Sequence, residues 1–318
     1  MAGAEMTTEP PRCGLALDHE HGRSLRVRYG DTELLRYVYR TWEPQVESPR
    51  PYLHPVRTLG GDEITAYRPH DHVWHKGVAW SLPFVGDDNF WGGGSYLHGS
   101  GYVQLPNNGG MWHRRFVAIT ADVDRVDIAH ELDWITEPGE RRIDERRALA
   151  VTLTGDAWVL AFSTAMTNVS ADPIALGSPT TRGRPAAGYG GLFWRGPRAF
   201  TGGRVFTPAG GAAGGDELMG TRHPWLAFTG RHDGTGRRST LLFVDAPANP
   251  GHPTRWFVRS TEFAAVCPAP FFSAEVTVAP GDTLRLRYAM VVADGEPGPA
   301  ELAALAAAGL DAMRAADR

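Results

Sequence analysis

Histidines are concentrated in one short part of this chain. Six of the twelve fall between residues 54 and 113, and four of the ten tryptophans lie in the same window. The densest stretch is RPHDHVWHKGVAW, residues 68–80, and we place His70 to Lys76 on a loop or strand end because Pro69 disfavours regular structure at its start. Imidazole titrates near neutrality and can donate, accept or bind a metal, so such clustering can build acid–base or metal-ligand geometry. Flat amphipathic aromatic rings suit stacking on the apolar face of a sugar ring.

Three interpretations of this cluster are open. The histidines could cap turns and hydrogen-bond buried carbonyls in an aromatic-rich fold. His72 and His75 could instead form an acid–base site for a sugar. A third possibility is a metal site made of His70, His72, His75 and His113, since His70 and His72 would share a strand face and His72 and His75 a helical turn. No HExxH pattern and no carboxylate at ligand spacing accompanies them, so we predict neither a metal nor another cofactor.

Further candidates lie outside the densest stretch. Glu145, in an ERR run, and Glu275, in a late strand, could supply a catalytic carboxylate; a surface ion pair and a solvent-facing side chain are the alternatives. Tyr189 lies among glycines that could admit a substrate or merely form a turn, and Asn249 precedes a proline and could begin a turn. The predicted catalytic residues are His72, His75, Glu145 and Glu275, and the predicted substrate-binding residues are Arg57, Asp71, Trp74, Lys76, His113, Tyr189, Asn249, Trp256 and Arg259.

Lys76 is the only lysine among 32 basic residues. Its ammonium, next in sequence to His75, could disfavour the imidazolium form and so lower the pKa of the histidine pair. The alternative is a solvated loop lysine in a chain whose genome favours arginine codons.

The elements that must position these residues are mostly short strands. Alternating or β-branched segments predict strands at 24–29, 33–40, 115–120, 126–132, 147–153, 158–168, 225–229, 239–245, 257–266 and 283–292. An alanine-rich segment that begins near Pro299 predicts one helix, 298–318. We therefore expect a disordered tail at 1–12, one all-β domain of two packed sheets at 13–297, and this C-terminal helix.

Composition excludes several classes of protein. The net charge of −4 argues against a nucleic-acid binder that depends on a basic face. The two cysteines have no metal-ligand spacing, and there is neither a signal peptide nor an apolar run of membrane-spanning length. We expect a cytoplasmic protein that contacts no membrane. The GxSxG elbow and the phosphate-binding loop are also absent, which argues against serine-hydrolase and P-loop chemistry.

Five motifs occur in the order of a known family. They are PYLHPVRTLGGDEIT (51–65), DHVWHKG (71–77), ERR (145–147), GYGGLFWR (188–195) and NPGHPTRWFVR (249–259). Together they resemble the bacterial family named PmoA-like, or "methane oxygenase PmoA", whose function is unknown. That name belongs to an integral membrane protein, which this chain without a spanning segment does not resemble. The Asp-His-x-x-His pattern of the family matches Asp71, His72 and His75, and Lys76 stands where relatives commonly have Arg.

The resemblance implies a large two-sheet β-supersandwich, similar to galactose mutarotase, and a role in sugar metabolism. Mutarotase-like enzymes use histidines and a carboxylate for proton transfer, so we expect an isomerase, lyase or hydrolase acting on a sugar or sugar derivative. A non-catalytic carbohydrate-binding or regulatory partner is the first alternative, and a His-ligated metal enzyme the second. The sequence predicts no oligomeric state.

Overall fold

The computed structural model describes residues 14–212 and 214–316. The predicted tail, 1–12, lies outside the described residues. Twenty-two strands are present in this part of the chain: β1 Leu15–Glu20, β2 Ser24–Tyr29, β3 Thr32–Val38, β4 Tyr52–Val56, β5 Val78–Ser81, β6 Phe84–Val85, β7 Ser95–Leu97, β8 Gly101–Val103, β9 Gly110–Ala121, β10 Arg125–Ile135, β11 Arg141–Thr154, β12 Ala157–Asn168, β13 Ile174–Gly177, β14 Gly191–Arg195, β15 Arg204–Thr207, β16 Gly210–Ala212, β17 Trp225–Arg231, β18 Arg238–Asp245, β19 Arg255–Arg259, β20 Ala265–Ala269, β21 Val276–Val278 and β22 Thr283–Asp294. One α-helix, α1, spans Pro299–Ala315, and short 3-10 helices lie at Gln45–Glu47, Arg198–Phe200 and Asp216–Leu218.

Two large antiparallel sheets face each other. The first has eight strands in the order β1-β2-β3-β4-β5-β14-β20-β19, and the second has nine in the order β16-β15-β17-β18-β22-β12-β11-β10-β9. A three-stranded sheet, β21-β13-β6, and the hairpin β7-β8 complete the fold. The predicted all-β, two-sheet fold with a C-terminal helix is confirmed.

The core lies between the two large sheets. Five tryptophans are buried there: Trp80, Trp134, Trp158, Trp194 and Trp256. Because side chains alternate along a strand, each strand of the first sheet gives one set of residues to this core and turns the other set outward.

Helix α1 covers the outer face of the second sheet. Leu302, Ala306 and Met313 pack with small and β-branched residues of β12, β18 and β22. The helix begins at Pro299, and the Glu301 carboxylate accepts a hydrogen bond from the Gly298 backbone N–H at 2.7 Å. The observed helix lies within the predicted segment, whose last two residues are outside the described part. That residues 13–297 form one domain stays a prediction.

One predicted strand is in fact two. Residues 257–266 were expected to run straight, but β19 ends at Arg259 and β20 begins at Ala265. The turn between them has no Gly or Pro to mark it in the sequence. This turn matters because it contributes to the cavity described next.

Candidate active site

A cavity of about 330 Å³ opens on the outer face of the first sheet. Its floor comes from β14 and β19, and its walls come from four loop segments near residues 72–75, 91–94, 184–189 and 262–263, with the β8 residue Tyr102. The volume is at the small end of the range for ligand cavities, which suits a small molecule better than a polymer.

Strand alternation decides which residues reach this cavity. In β14, Leu192 and Trp194 enter the core, so Phe193 faces the cavity. In β19, Trp256 enters the core and Phe257 and Arg259 face the cavity. A register change by one residue would exchange these two sets.

The Asp71 carboxylate orients the His72 ring. Asp71 Oδ2 is 3.0 Å from His72 Nδ1, and both Asp71 oxygens accept hydrogen bonds from Arg195 Nη2, at 3.2 and 3.0 Å. Burial alone would raise the pKa of Asp71, but the bonds from Arg195 and His72 lower this pKa to about 2. Asp71 is therefore a carboxylate near neutral pH and can only accept, so His72 Nδ1 carries the hydrogen. In this tautomer the Nε2 atom carries the lone pair.

His75 has the opposite tautomer. Its Nδ1 lies 3.0 Å from Arg195 Nη1, and because a guanidinium can only donate, this nitrogen accepts and the hydrogen is on Nε2. The ring is 4% exposed. Burial lowers the pKa of His75 well below 6.5, and the neighbouring His72, Arg195 and Arg50 act in the same direction. His75 is therefore a neutral N–H donor at pH 7.

The two imidazoles stack on each other. Their centroids are 4.7 Å apart with an interplanar angle of 11°, and both rings line the cavity. Among the residues described, none forms a hydrogen bond with Nε2 of either ring. The Nε2 atom of His72, as an acceptor, and the Nε2–H of His75, as a donor, are thus both available to a ligand in the cavity.

Aromatic rings and hydroxyls form much of the wall. Trp91 packs against Tyr189 with centroids 4.5 Å apart, and the Tyr102 and Tyr189 hydroxyls are 2.8 Å apart. Burial raises the pKa of Tyr189 well above 10, and Tyr102 adds to this effect, so Tyr189 acts as a neutral hydrogen-bonding group. Arg184 donates to the Tyr102 hydroxyl, and Glu262 is the carboxylate that lines the cavity directly.

Close packing holds the histidine loop in position. The Trp74 indole lies over Gly93, where an added Cβ would come within 2.8 Å of the ring. Arg50, which is buried, donates to the Trp74 carbonyl at 2.6 Å. Glycine at 93 thus permits the contact that fixes the loop against the rest of the site.

Lys76 differs from both sequence expectations. It is 2% exposed rather than solvated, and its ammonium binds the Glu47 carboxylate and lies 3.8 Å from Glu43. Burial lowers the pKa of Lys76 to about 8, partly offset by these two carboxylates. The cations that act on His75 are Arg195, on β14, and Arg50. Lys76 instead binds the buried carboxylates next to the histidine loop.

The structure brings five predicted site residues together in the cavity wall: His72, Trp74, His75, Tyr189 and Arg259. Asp71 lies directly behind His72. The Asp-His-x-x-His motif therefore contains three members of one hydrogen-bonding network, namely Asp71, His72 and His75, which Arg195 connects.

The two predicted glutamates lie elsewhere. Glu145 is fully buried in the core, where it binds Arg147 at 2.8 Å and accepts from Trp134 and Thr164. Glu275 pairs with Arg182 at 3.3 Å, away from the cavity. Strand register points Glu145 between the sheets. Glu275 was expected in a strand but precedes β21, which begins at Val276, and it is held by Arg182 outside the cavity.

Four predicted binding residues are also outside the cavity. Arg57 lies between Glu33 and Glu63 at the surface, with its Nη2 3.2 Å from Glu63. Asn249 donates to Asp245 at 2.7 Å, and its backbone is part of a turn. Trp256 is in the core and donates to the His223 carbonyl at 2.9 Å. His113 lies on β9, and burial lowers its pKa to about 4.

The four histidines of the metal hypothesis are not brought together. His113 contacts His130 at 3.0 Å, far in the fold from the stacked pair, and His70 is exposed. Over residues 14–212 and 214–316, no three His, Cys, Asp or Glu side chains converge as ligands.

Apart from the glycines, sequence reasoning missed eight residues of the site. These are Trp91, Tyr102, Arg184, Phe193, Arg195, Phe257, Glu262 and Phe263. GYGGLFWR and NPGHPTRWFVR contain Phe193, Arg195 and Phe257, so alternation along those motifs could have found these three. Glu262 and Phe263 lie in the unmarked turn, and no local signal identifies them.

A family model matches residues 24–307, which is most of the chain. Its description is "Family of unknown function (DUF6807)". The chain belongs to this DUF6807 family. No curated protein matches the chain.

Solved structures with a similar fold are remote in sequence. A galactose 1-epimerase from Lactobacillus acidophilus NCFM superposes with a TM-score of 0.38 and 8% identity, covering 88% of this chain and 97% of that one. A GH36 alpha-galactosidase from Geobacillus stearothermophilus, in complex with raffinose, gives 0.37 and 11%, covering 84% and 40%. An alpha-galactosidase from Lactobacillus brevis gives 0.36 and 8%, covering 88% and 39%. The DUF6807 chain thus spans about two fifths of each galactosidase, and the likeness concerns the fold alone.

The described part of the chain includes no helix long and apolar enough to cross a bilayer.

Proposed function

We propose that this cavity performs general acid–base chemistry on a sugar or sugar derivative. His72 is the base that accepts and returns the proton, Asp71 and Arg195 are positioning residues, and His75 is a neutral hydrogen-bond donor. The observation that carries the proposal is that two stacked imidazoles turn their Nδ1 atoms to opposite partners, a carboxylate for His72 and a guanidinium for His75.

Such a pair combines a base with a neutral N–H donor that stabilises developing negative charge. His72 Nε2 accepts a proton from a hydroxyl or an activated C–H and returns it later in the reaction, while His75 Nε2–H donates a hydrogen bond to an oxygen that gains charge. Glu262 adds a carboxylate to the same cavity. Isomerisation, elimination and hydrolysis at a sugar carbon all need proton transfers of this kind.

The cavity wall supports a sugar as the substrate class. A sugar has apolar ring faces and polar edges, and this wall combines Trp91, Phe193 and Phe257 with the Tyr102 and Tyr189 hydroxyls. The aromatic rings thus suit the apolar faces of a sugar, and the hydroxyls suit its polar edges.

Three narrower assignments rest on sequence motifs and composition alone. They are membership of the PmoA-like family, a cytoplasmic location and a bacterial sugar-metabolism role. We retain them as proposals.

The test compares histidine variants on a panel of aldoses, keto-sugars and glycosides. We expect His72→Ala and His75→Asn to lower kcat/KM by about 10²–10⁴-fold, the usual contribution of a positioned acid or base. Asn at 75 keeps an acceptor for Arg195 and removes the Nε2 donor, which limits the loss of stability at this buried position. His70→Ala is the matched control, because His70 is an exposed histidine of the same loop.

Two results would overturn the proposal. The first is turnover unchanged in both variants. The second is binding across the panel without turnover and without pH dependence between pH 5 and 8, which would indicate a carbohydrate-binding protein instead.

A further inference from the structure

Three arginines lie at this cavity, and only one of them is neutralised. Arg195 forms two hydrogen bonds with the Asp71 carboxylate, so its charge is compensated within the protein. Arg184 and Arg259 line the cavity wall and, over the described residues, pair with no carboxylate. The positive charges of these two guanidinium groups are therefore not compensated by a carboxylate of the described residues.

Aromatic rings hold both of these guanidinium groups. The Arg184 guanidinium lies 4.8 Å from the Tyr102 ring centroid and donates to its hydroxyl, and the Arg259 guanidinium lies 5.4 Å from the Phe257 ring centroid. A ring face orients the planar guanidinium without accepting its charge through hydrogen bonds, so N–H donors stay available.

Apart from the Arg195–Asp71 pair, the side chains that line the cavity carry a net positive charge. Glu262 is the one carboxylate among the cavity-lining residues, against Arg184 and Arg259, and His75 is neutral. Two cations and one anion leave a surplus of one positive charge, in a chain whose net charge is −4. The surplus is thus local to this site.

We infer that the substrate is a sugar bearing an anionic group, a carboxylate or a phosphate, which Arg259 and Arg184 bind. This inference rests on the proposed function and specifies its substrate class. A guanidinium forms paired hydrogen bonds with either group, and the charge-assisted bonds are about twice as strong as neutral ones. In this proposal Arg259 and Arg184 bind the anionic group, and the stacked histidines act on the reacting carbon.

Calorimetric titration of two hexose series tests the inference. Each series contains the neutral sugar, its uronate and its 6-phosphate, from glucose and from galactose, and gluconate adds an acid at C1. We expect at least one anionic member to bind about 10- to 100-fold more tightly than its neutral parent, the range for hydrogen bonds to a charged group. The ratio between the affinities for the uronate and for the 6-phosphate shows whether the site prefers a carboxylate or a phosphate.

Arginine variants then locate the anion site. Arg259→Met and Arg184→Met should each lower the affinity for the anionic sugar, relative to the affinity for the neutral sugar, at least fivefold. Arg314→Met, at an exposed position on α1, should leave both affinities unchanged. Thermal unfolding of each variant shows whether it is folded, and Arg259→Lys, which keeps the charge without the planar fork, should retain part of the preference.

The inference fails if the neutral sugars bind as tightly as every anionic one, if none of the anionic sugars binds, or if both Met variants keep the preference. Its failure is distinguishable from failure of the proposed function. A preference for the anion without any turnover removes the acid–base proposal and keeps this one, whereas turnover of neutral sugars without such a preference does the reverse.

Discussion

Asp71 is exposed on one side yet controls the base through a single hydrogen bond of 3.0 Å. An amide in its place offers an N–H to the same nitrogen, so Asp71→Asn would favour the tautomer with the hydrogen on His72 Nε2 and remove the base. We expect kcat to fall by about 10²–10⁴-fold, with KM within a few-fold of wild type.

Asp87→Asn is the matched control for this prediction. Asp87 is 98% exposed and lies 3.6 Å from Arg182, away from the stacked pair. If Asp71→Asn has the kcat of the control, the carboxylate does not set the tautomer. A rise in KM at constant kcat would instead assign Asp71 to substrate binding.

At the scale of single residues, the sequence predicted the Asp–His motif of the site but not the arginine that binds it. Asp71, His72 and His75 are close in sequence, so their spacing alone indicated a network. Arg195 lies 120 positions beyond His75, and only the strand order β5-β14 brings the two together. No residue-type pattern at either end contains that information.

Among the elements, the histidine loop depends on a buried ion pair. Lys76 and Glu47 are each 2% exposed, and Arg68 also binds Glu47 at 2.7 Å. Burial opposes ionisation of Glu47, but Arg68 and Lys76 bind the charged form, and its pKa is lowered. The pair is therefore charged in the folded protein.

Lys76→Met should destabilise the protein by up to about 3–5 kcal/mol, because it removes the salt bridge of the buried Glu43 and one of the two that hold Glu47. Lys76→Arg keeps the charge and should lose much less. Urea unfolding followed by tryptophan fluorescence measures both changes. Equal stability of Lys76→Met and wild type would show that the ammonium does not compensate Glu47 and Glu43.

Strand prediction succeeded where alternation was long and failed where a turn lacked its usual residues. The segment predicted at 24–29 matches β2 at both ends, and the segment at 158–168 matches β12 to within one residue. The segment at 257–266 ran through a turn built from Ser, Thr and Glu, which local propensity does not separate from strand. Glu262 was missed for this reason.

Over the whole molecule, the composition of the chain indicated two packed sheets. This packing buries histidines, and the buried histidines make the stability of the fold depend on pH. Frequent Gly and Pro with many β-branched segments indicated a turn-rich sandwich. His130, between the sheets, is 0% exposed, with Nε2 2.8 Å from the Tyr37 hydroxyl and Nδ1 3.0 Å from His113 Nδ1. Burial lowers its pKa well below 6.5, with Arg147 and His113 adding to the effect.

Buried neutral histidines make the fold sensitive to acid. For His75 and His130 the folded-state pKa lies below the unfolded value of 6.5, so the unfolded chain binds more protons below that pH. The stability from keeping these rings neutral is complete above pH 6.5 and decreases as the pH falls. Each such histidine lowers the free energy of unfolding by up to about 1.4 kcal/mol per pH unit.

We therefore expect the free energy of unfolding, measured in urea at pH 7, 6, 5.5 and 5, to decrease steadily below pH 6.5. His130→Gln removes one titrating ring while keeping a polar side chain, so its stability should be lower at pH 7 but decrease less steeply with acid. His21→Gln, at an exposed position in the first hairpin, should retain the slope of wild type. An unchanged slope in His130→Gln would mean that His130 is protonated equally in the folded and unfolded chains, and that the acid sensitivity has its source elsewhere in the core.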